Sequence, residues 1–420
     1  MKDVLQPSLR RPNAPSGKIA DIEFLRGLAI ALTLIAHLIL AFPDWAGLTA
    51  FNSRHWLGSG VDLFFVISGF VITASLRNQM GRVWDALHGG GGKDLGAVRD
   101  RCRLASRVLA AFWIRRAFRL LPGAFATIGL TLVFIALFSP RAIGATLGGF
   151  WLHAEAAAAA LLQVFNVWGW RRLVHGGDVT LFGAYWSLSL EEQFYFLFPF
   201  IMIACGSMRR LGLVALAVVA GLFFVRKSLP SDAMWWFRVD GLFWGVAIAC
   251  FRPNLGFVTR WKPGAKWVLG ALVLAVCIGG LTETIILMWS HDSANGAMLL
   301  FAAFLVAVAS IDAGLFQFPL LGRAFVYLGE RSYAIYLLHI LIFAGVQAIG
   351  DSLLEAGASP LWANVGKALL VLLSLAPIDL FHRSVEIRFR NVGRRISMKL
   401  LAGSGGVEAR DGLAAQDPLR

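Results

Sequence analysis

Apolar runs long enough to cross a lipid bilayer recur along this chain from residue 24 to residue 382, and no other feature restricts its fold so strongly. A helix rises 1.5 Å per residue and the hydrocarbon layer is about 30 Å thick, so a run of about 20 apolar residues reads as a spanning helix. Candidate spans lie at about 24–42, 56–75, 117–138, 186–205, 211–225, 236–251, 267–289, 297–312, 326–349 and 362–382. An eleventh apolar stretch, 143–165, contains His153, Glu155 and the alanine run Ala156 to Ala160, and reads either as a span or as a re-entrant segment. The expected fold is an all-α polytopic membrane protein with about ten transmembrane helices around a polar cavity, 143–165 being the re-entrant candidate.

Loop charges decide between the two readings. The net charge of +14 would point to nucleic acid in a soluble chain, but 58% hydrophobic and 15% charged residues exclude that class. If 143–165 does not span, both termini are cytoplasmic and the basic loops share one side: 76–116, Arg209-Arg210, 252–266 and the tail from Arg383 to Lys399. The opposite loops, 290–296 and 350–361, then carry Asp292, Asp351 and Glu355 and no base. If it does span, the 252–266 loop and the C-terminal tail are exported against the rule, so ten spans is the better count. Residues 1–20 read as a disordered cytoplasmic tail, 21–390 as one membrane domain and 391–420 as a basic cytoplasmic tail. Loop 76–116, with glycines at 89–92, reads as a flexible connection. The first apolar segment lacks a small-residue cleavage site and reads as an uncleaved first helix. Cys102, Cys205, Cys250 and Cys277 form no CxxC pair, so neither a disulfide framework nor a zinc site is indicated, and no metal is expected.

Ionisable side chains inside apolar spans are costly and mark functional sites. Arg26 and His37 lie eleven residues apart on the first span, roughly 16 Å along its axis. Taken alone they also fit a snorkelling arginine and a structurally satisfied histidine. Further polar groups occur in four ordered segments: Gly60-Val-Asp62-Leu-Phe-Phe-Val-Ile-Ser68-Gly69-Phe70; Arg115-Arg116-Ala-Phe-Arg119-Leu-Leu-Pro122; Trp186-Ser187-Leu-Ser189-Leu-Glu191-Glu192-Gln193-Phe194-Tyr195; and Leu328-Gly329-Glu330-Arg331-Ser332-Tyr333-Ala-Ile-Tyr336-Leu-Leu-His339. Glu386 closes the last span. In this order and spacing the segments resemble the acyltransferase-3 family of integral membrane O-acyltransferases, over roughly residues 20–390.

The resemblance implies transfer of an acyl group, commonly acetyl from acetyl-CoA, to a hydroxyl of a glycan or other cell-envelope acceptor. Acyl-CoA is then a donor substrate and not a bound cofactor. The family's arginine–ten residues–histidine motif falls on Arg26 and His37, and its paired-arginine motif on Arg116 and Arg119. Here Glu23 stands where Asp is more usual and Phe24 where Gly is frequent. Many members carry a C-terminal extracytoplasmic hydrolase-like domain. This sequence ends in a short basic tail, so a step that needs such a domain is expected to be supplied elsewhere.

The residues support a parallel reading of their own. A hydroxyl needs a base in the transition state, and a neutral buried imidazole such as His37 can take its proton. Glu191 or Asp62 would orient the ring, although either also fits a helix-end charge. Arg116 and Arg119, three apart, share a helix face and suit the phosphates of a nucleotide-bearing donor; as positive-inside anchors they would need no ligand. Tyr333, Tyr336 and His339 recur at three-residue spacing on one face and read as cavity lining or as interhelical hydrogen bonding. Tyr195 and Ser332 complete the substrate-binding candidates. Arg238 and Asp240 read as an ion pair or an acceptor contact, and Trp168, Trp170, Trp235 and Trp236 as interface belt residues. No GxSxG elbow is present, so direct transfer with His37 as base is preferred to an acyl-enzyme. The competing class is a secondary transporter or flippase of a glycolipid or acyl metabolite, for which Arg26, His37 and His339 would line a proton or substrate path.

Overall fold

In a computed structural model the chain is helical throughout the residues it describes, which are 19–88, 95–138, 149–177, 179–225, 238–252, 260–287 and 294–402. The expectations for residues 1–18, the glycine run 89–92, Trp235, Trp236, Asp292 and residues 403–420 lie outside these. The elements are α1 (Ala20–His37, continued by a 3-10 turn Leu38–Leu40), α2 (Ala46–Arg54), α3 (Ser59–His88), α4 (Leu95–Phe138), α5 (Phe150–Leu161), α6 (Phe165–Val174), α7 (Tyr185–Cys205) and α8 (Met208–Val225). There follow α9 (Asp240–Cys250), α10 (Pro263–Leu287), α11 (Ala294–Ala309), α12 (Leu321–Glu355), α13 (Pro360–Leu373), α14 (Leu375–Phe381), a π-helical turn His382–Ile387, and α15 (Arg388–Ala402).

Seven stretches are long and apolar enough to cross a bilayer, on α1, α3, α4, α7, α10, α12 and the run from α13 to α15. The apolar helices α9 and α11 have 11 and 16 residues, about 17 and 24 Å, and fall short of the hydrocarbon thickness. Seven such stretches lie in the described residues, against about ten expected over the whole chain, with shorter apolar helices packed among them. The 143–165 stretch is likewise not one continuous span where it is described. Its 12-residue helix α5 turns at Gln163 (φ 56°) into α6, and the alanine run packs on Phe182 and Tyr185.

Loop 76–116 is corrected more sharply. Apart from residues 89–94 it is helix, because α3 and α4 both continue past their apolar parts. The extensions pair Met80, Val83 and Trp84 with Val108, Ala111 and Phe112, and Trp84 Nε1 donates to the Met202 carbonyl at 2.9 Å. Charged residues there suggested a loop, yet one apolar stripe suffices to bury a helix. Helix also continues past residue 390, as α15 packs on α4 with Gly393 against Phe118.

The tightest packing joins α1 to α12. A Cβ at Gly27 would overlap the Phe325 carbonyl, and one at Gly329 would overlap the Glu23 carbonyl, so the two backbones touch. Asp21, fully buried, accepts hydrogen bonds from the backbone N–H groups of Gly314, Leu315 and Phe316 at 2.9, 3.1 and 3.3 Å. It ties the segment leading into α12 to the start of α1. Gly69 against Leu242 and Gly245 against Val66 give α3 and α9 the same backbone contact, the small-residue packing that membrane helices use in the absence of a hydrophobic drive. Gly329→Val should lower stability by about 2 kcal/mol or more through overpacking. Gly279→Val, where an added Cβ meets open space, should leave the thermal midpoint of the detergent-solubilised protein nearly unchanged.

Candidate active site

Five helices, α1, α3, α4, α7 and α12, line a partly open cavity of about 90 Å³, room for a few water molecules. Its charged lining is Arg26, Arg116, Arg119 and Glu191. Arg26 comes from the first turns of α1, where it pairs with Glu23 at 3.5 Å and donates to Ser332 Oγ at 2.9 Å. On α4 the three-residue spacing turns Arg116 and Arg119 the same way. The Arg116 guanidinium lies over the rings of Tyr195 and Phe112, at 5.5 and 5.7 Å from their centroids. Arg119 makes no hydrogen bond or ion pair among the described residues, and feels the charges of Arg26, Arg116, Arg390 and Glu386.

The opposite wall is α7 and α12. Glu191 accepts from Tyr195 Oη at 2.6 Å, one turn on, and from Ser68 Oγ of α3 at 3.2 Å. Tyr333 Oη donates to the Leu120 carbonyl at 2.5 Å, and Tyr336 Oη bonds Ser187 Oγ at 2.6 Å. The structure thus brings Arg26, Arg116, Arg119, Glu191, Tyr195, Ser332 and Tyr333 to one place.

The histidines lie elsewhere. His37 is the last residue of α1, at the far end from Arg26, and is not part of the cavity wall. Its Nδ1 bonds the Thr33 carbonyl at 2.9 Å, and its ring lies 5.0 Å from that of His339. His339 Nδ1 bonds the Tyr336 carbonyl at 2.7 Å. Tyr336 joins the two regions: it lines the cavity, and its ring centroid is 5.5 Å from that of His339.

The expected carboxylate behind His37 is not found. Asp62 is held by Arg238 at 2.6 Å, and Glu191 is committed to Tyr195 and Ser68. Among the described residues His37 meets only the Thr33 carbonyl and the His339 ring. The anticipated Arg238–Asp240 pair is replaced as well. Arg238 stacks over Trp186 at 5.4 Å while bridging to Asp62, and Asp240 accepts from the Gly241 N–H at 3.0 Å. Ser68 lines the cavity as well, a role the sequence analysis does not assign it. The stripe Val61, Phe64, Ser68 and Val71, all cavity residues at helical spacing, was the available signal. The buried pair His382–Glu386, 2.7 Å apart in the π-helical turn, carried no such signal.

A family model described as an acyltransferase domain, Acyl_transf_3, matches residues 19–378. The chain belongs to the acyltransferase-3 family. It is 25% identical over 405 residues to the O-acetyltransferase OatA of Staphylococcus aureus, covering 89% of this chain and 58% of that relative. To the putative peptidoglycan O-acetyltransferase YrhL of Bacillus subtilis it is 26% identical over 410 residues, covering 90% of this chain and 56% of the relative. The chain therefore spans somewhat more than half the length of these relatives. No solved structure matches it.

Breaking the Asp62–Arg238 pair should be severe, because one buried charge is left alone. Asp62→Ala is expected to cost about 3–5 kcal/mol, and Asp62→Ala with Arg238→Leu to recover part of it. Chemical unfolding of the four proteins of this cycle measures both.

Proposed function

We propose that this acyltransferase-3 chain is a membrane O-acyltransferase of the bacterial inner membrane, with both termini in the cytoplasm. It moves an acyl group, acetyl in the simplest case, from acyl-CoA to a hydroxyl of a cell-envelope glycan. The observation that carries this reading is the convergence of Arg26, Arg116 and Arg119 on one cavity, with Arg119 lacking a bonded partner among the described residues. Guanidinium groups gathered in a low-dielectric interior repel one another unless an anion joins them, and their planar donors suit phosphate.

The separation of the two ends supports the choice of donor. Arg26, at the arginine cluster, and His37 lie roughly 16 Å apart along α1. A donor held by its phosphates at one end and attacked at the other needs a long arm between them. Acyl-CoA has that arm, whereas in an acyl phosphate the reacting carbon is bonded to the phosphate itself. In the transfer step His37 Nε2 takes the hydroxyl proton, the oxygen attacks the thioester carbon, the C–S bond breaks, and the thiolate leaves and is protonated. The name of the Bacillus relative makes peptidoglycan the first acceptor to try.

Purified protein in nanodiscs, given labelled acetyl-CoA and glycan fragments, should yield acetylated glycan, while acetyl phosphate should yield none. His37→Ala should lower kcat by about 10²–10⁴-fold. Arg119→Gln should mainly raise KM for acetyl-CoA, by roughly tenfold or more, from a lost charge-assisted contact. Correctly inserted His37→Ala protein acetylating at the wild-type rate would sink the assignment of the base. Label that binds or crosses the membrane without product would favour a transporter.

A further inference from the structure

His339 is 1% exposed, and its Nε2 is buried with no hydrogen-bond partner. A structural histidine in an apolar core normally satisfies both ring nitrogens. Here both imidazoles commit Nδ1 to a carbonyl of their own helix, His37 to Thr33 and His339 to Tyr336. A carbonyl only accepts, so each Nδ1 carries the ring proton and each Nε2 presents a lone pair. Two lone pairs cannot bond each other. A proton delivered to one ring changes that, because ring centroids 5.0 Å apart allow two imidazole nitrogens to approach to about 3 Å.

We infer that His339 is the positioning partner of His37, a second neutral imidazole packed against the base whose Nδ1–H the Thr33 carbonyl holds. This rests on His37 being the base proposed above. When His37 Nε2 removes the proton of the acceptor hydroxyl, the neutral ring of His339, 5.0 Å away between centroids, stabilises the positive charge that develops on the His37 ring. The proton leaves the hydroxyl oxygen for His37 Nε2, the O–C bond forms as the C–S bond breaks, and the departing thiolate collects the proton. No other reagent is required. The two carboxylates expected to support His37 are engaged elsewhere, Asp62 by Arg238 and Glu191 by Tyr195 and Ser68. Tyr336 supplies the carbonyl that fixes His339 and also faces the cavity, so the pair is held in register with the donor side.

The test compares His339→Leu, His339→Phe, His339→Gln, His37→Ala and the double variant His37→Ala/His339→Leu, all in nanodiscs with acetyl-CoA and glycan acceptor. Leu and Phe remove the acceptor nitrogen, and two shapes guard against a variant that fails to insert. Gln returns an acceptor oxygen near the place of Nε2. Expected are a kcat lowered about a hundredfold by Leu or Phe with both KM values within about twofold, and recovery by Gln to within about tenfold of wild type. The double variant should be no slower than His37→Ala, since His339 acts only through His37. Leu and Phe variants with wild-type kcat overturn the inference while leaving His37 as base. So does a Gln variant as slow as Leu, or a double variant slower than His37→Ala by the full His339→Leu factor. A fully active His37→Ala protein overturns both the inference and the reading beneath it.

Discussion

The backbone contact between α1 and α12 sets where Arg26, Ser332, His37 and His339 stand relative to one another. Gly27 meets Phe325 and Gly329 meets Glu23 with no side chain between them. His37 lies ten residues beyond Gly27 and His339 ten beyond Gly329, each about 15 Å further along. Two helices running the same way from one crossing therefore carry the imidazoles to the same height. Near the crossing, the same arrangement lets Arg26 reach Ser332. A shift of one residue at the glycines would turn each side chain by about 100° and undo both pairings.

Charge is distributed in this structure in two distinct ways. Away from the cavity several ions have local partners, as in Asp62 with Arg238 and Asp379 with Arg331 and Arg383. Inside it three arginines meet one carboxylate, Glu191, whose bonds go to Tyr195 and Ser68. At the far end the two imidazoles have no guanidinium or carboxylate bonded to them among the described residues. In the proposed function this division is useful. Guanidinium groups beside the base would oppose its taking a proton, and beside the phosphates they are wanted. Distance along α1 allows one cavity system to do both.

Much of this could be read from one dimension. Helical class, membrane location and the shared face of Arg116 and Arg119 follow from run length and spacing, which are local properties. So does the depth of His37 along α1. Its neighbours do not follow, because depth says nothing about which helix stands opposite. Asp62 and Arg238 are 176 positions apart, and neither position predicts the other. The charged extensions of α3 and α4 were taken for a loop because hydropathy averages over a window, whereas burial depends on a stripe.

Among the described residues no carboxylate is bonded to His37, and that changes what the site can be. A Ser–His–Asp arrangement relies on an anion to hold the imidazolium, and an anion at this depth would need desolvating and a counter-charge of its own. A neutral second imidazole avoids that cost in the resting state, where neither ring is charged. In the proposed reaction it comes into use only when a proton arrives, so its stabilisation falls on the transition state and the ground state gains nothing. An apolar interior favours this solution over a carboxylate. It also explains why a chain would keep a buried nitrogen without a partner at His339, where an apolar side chain would pack at lower cost.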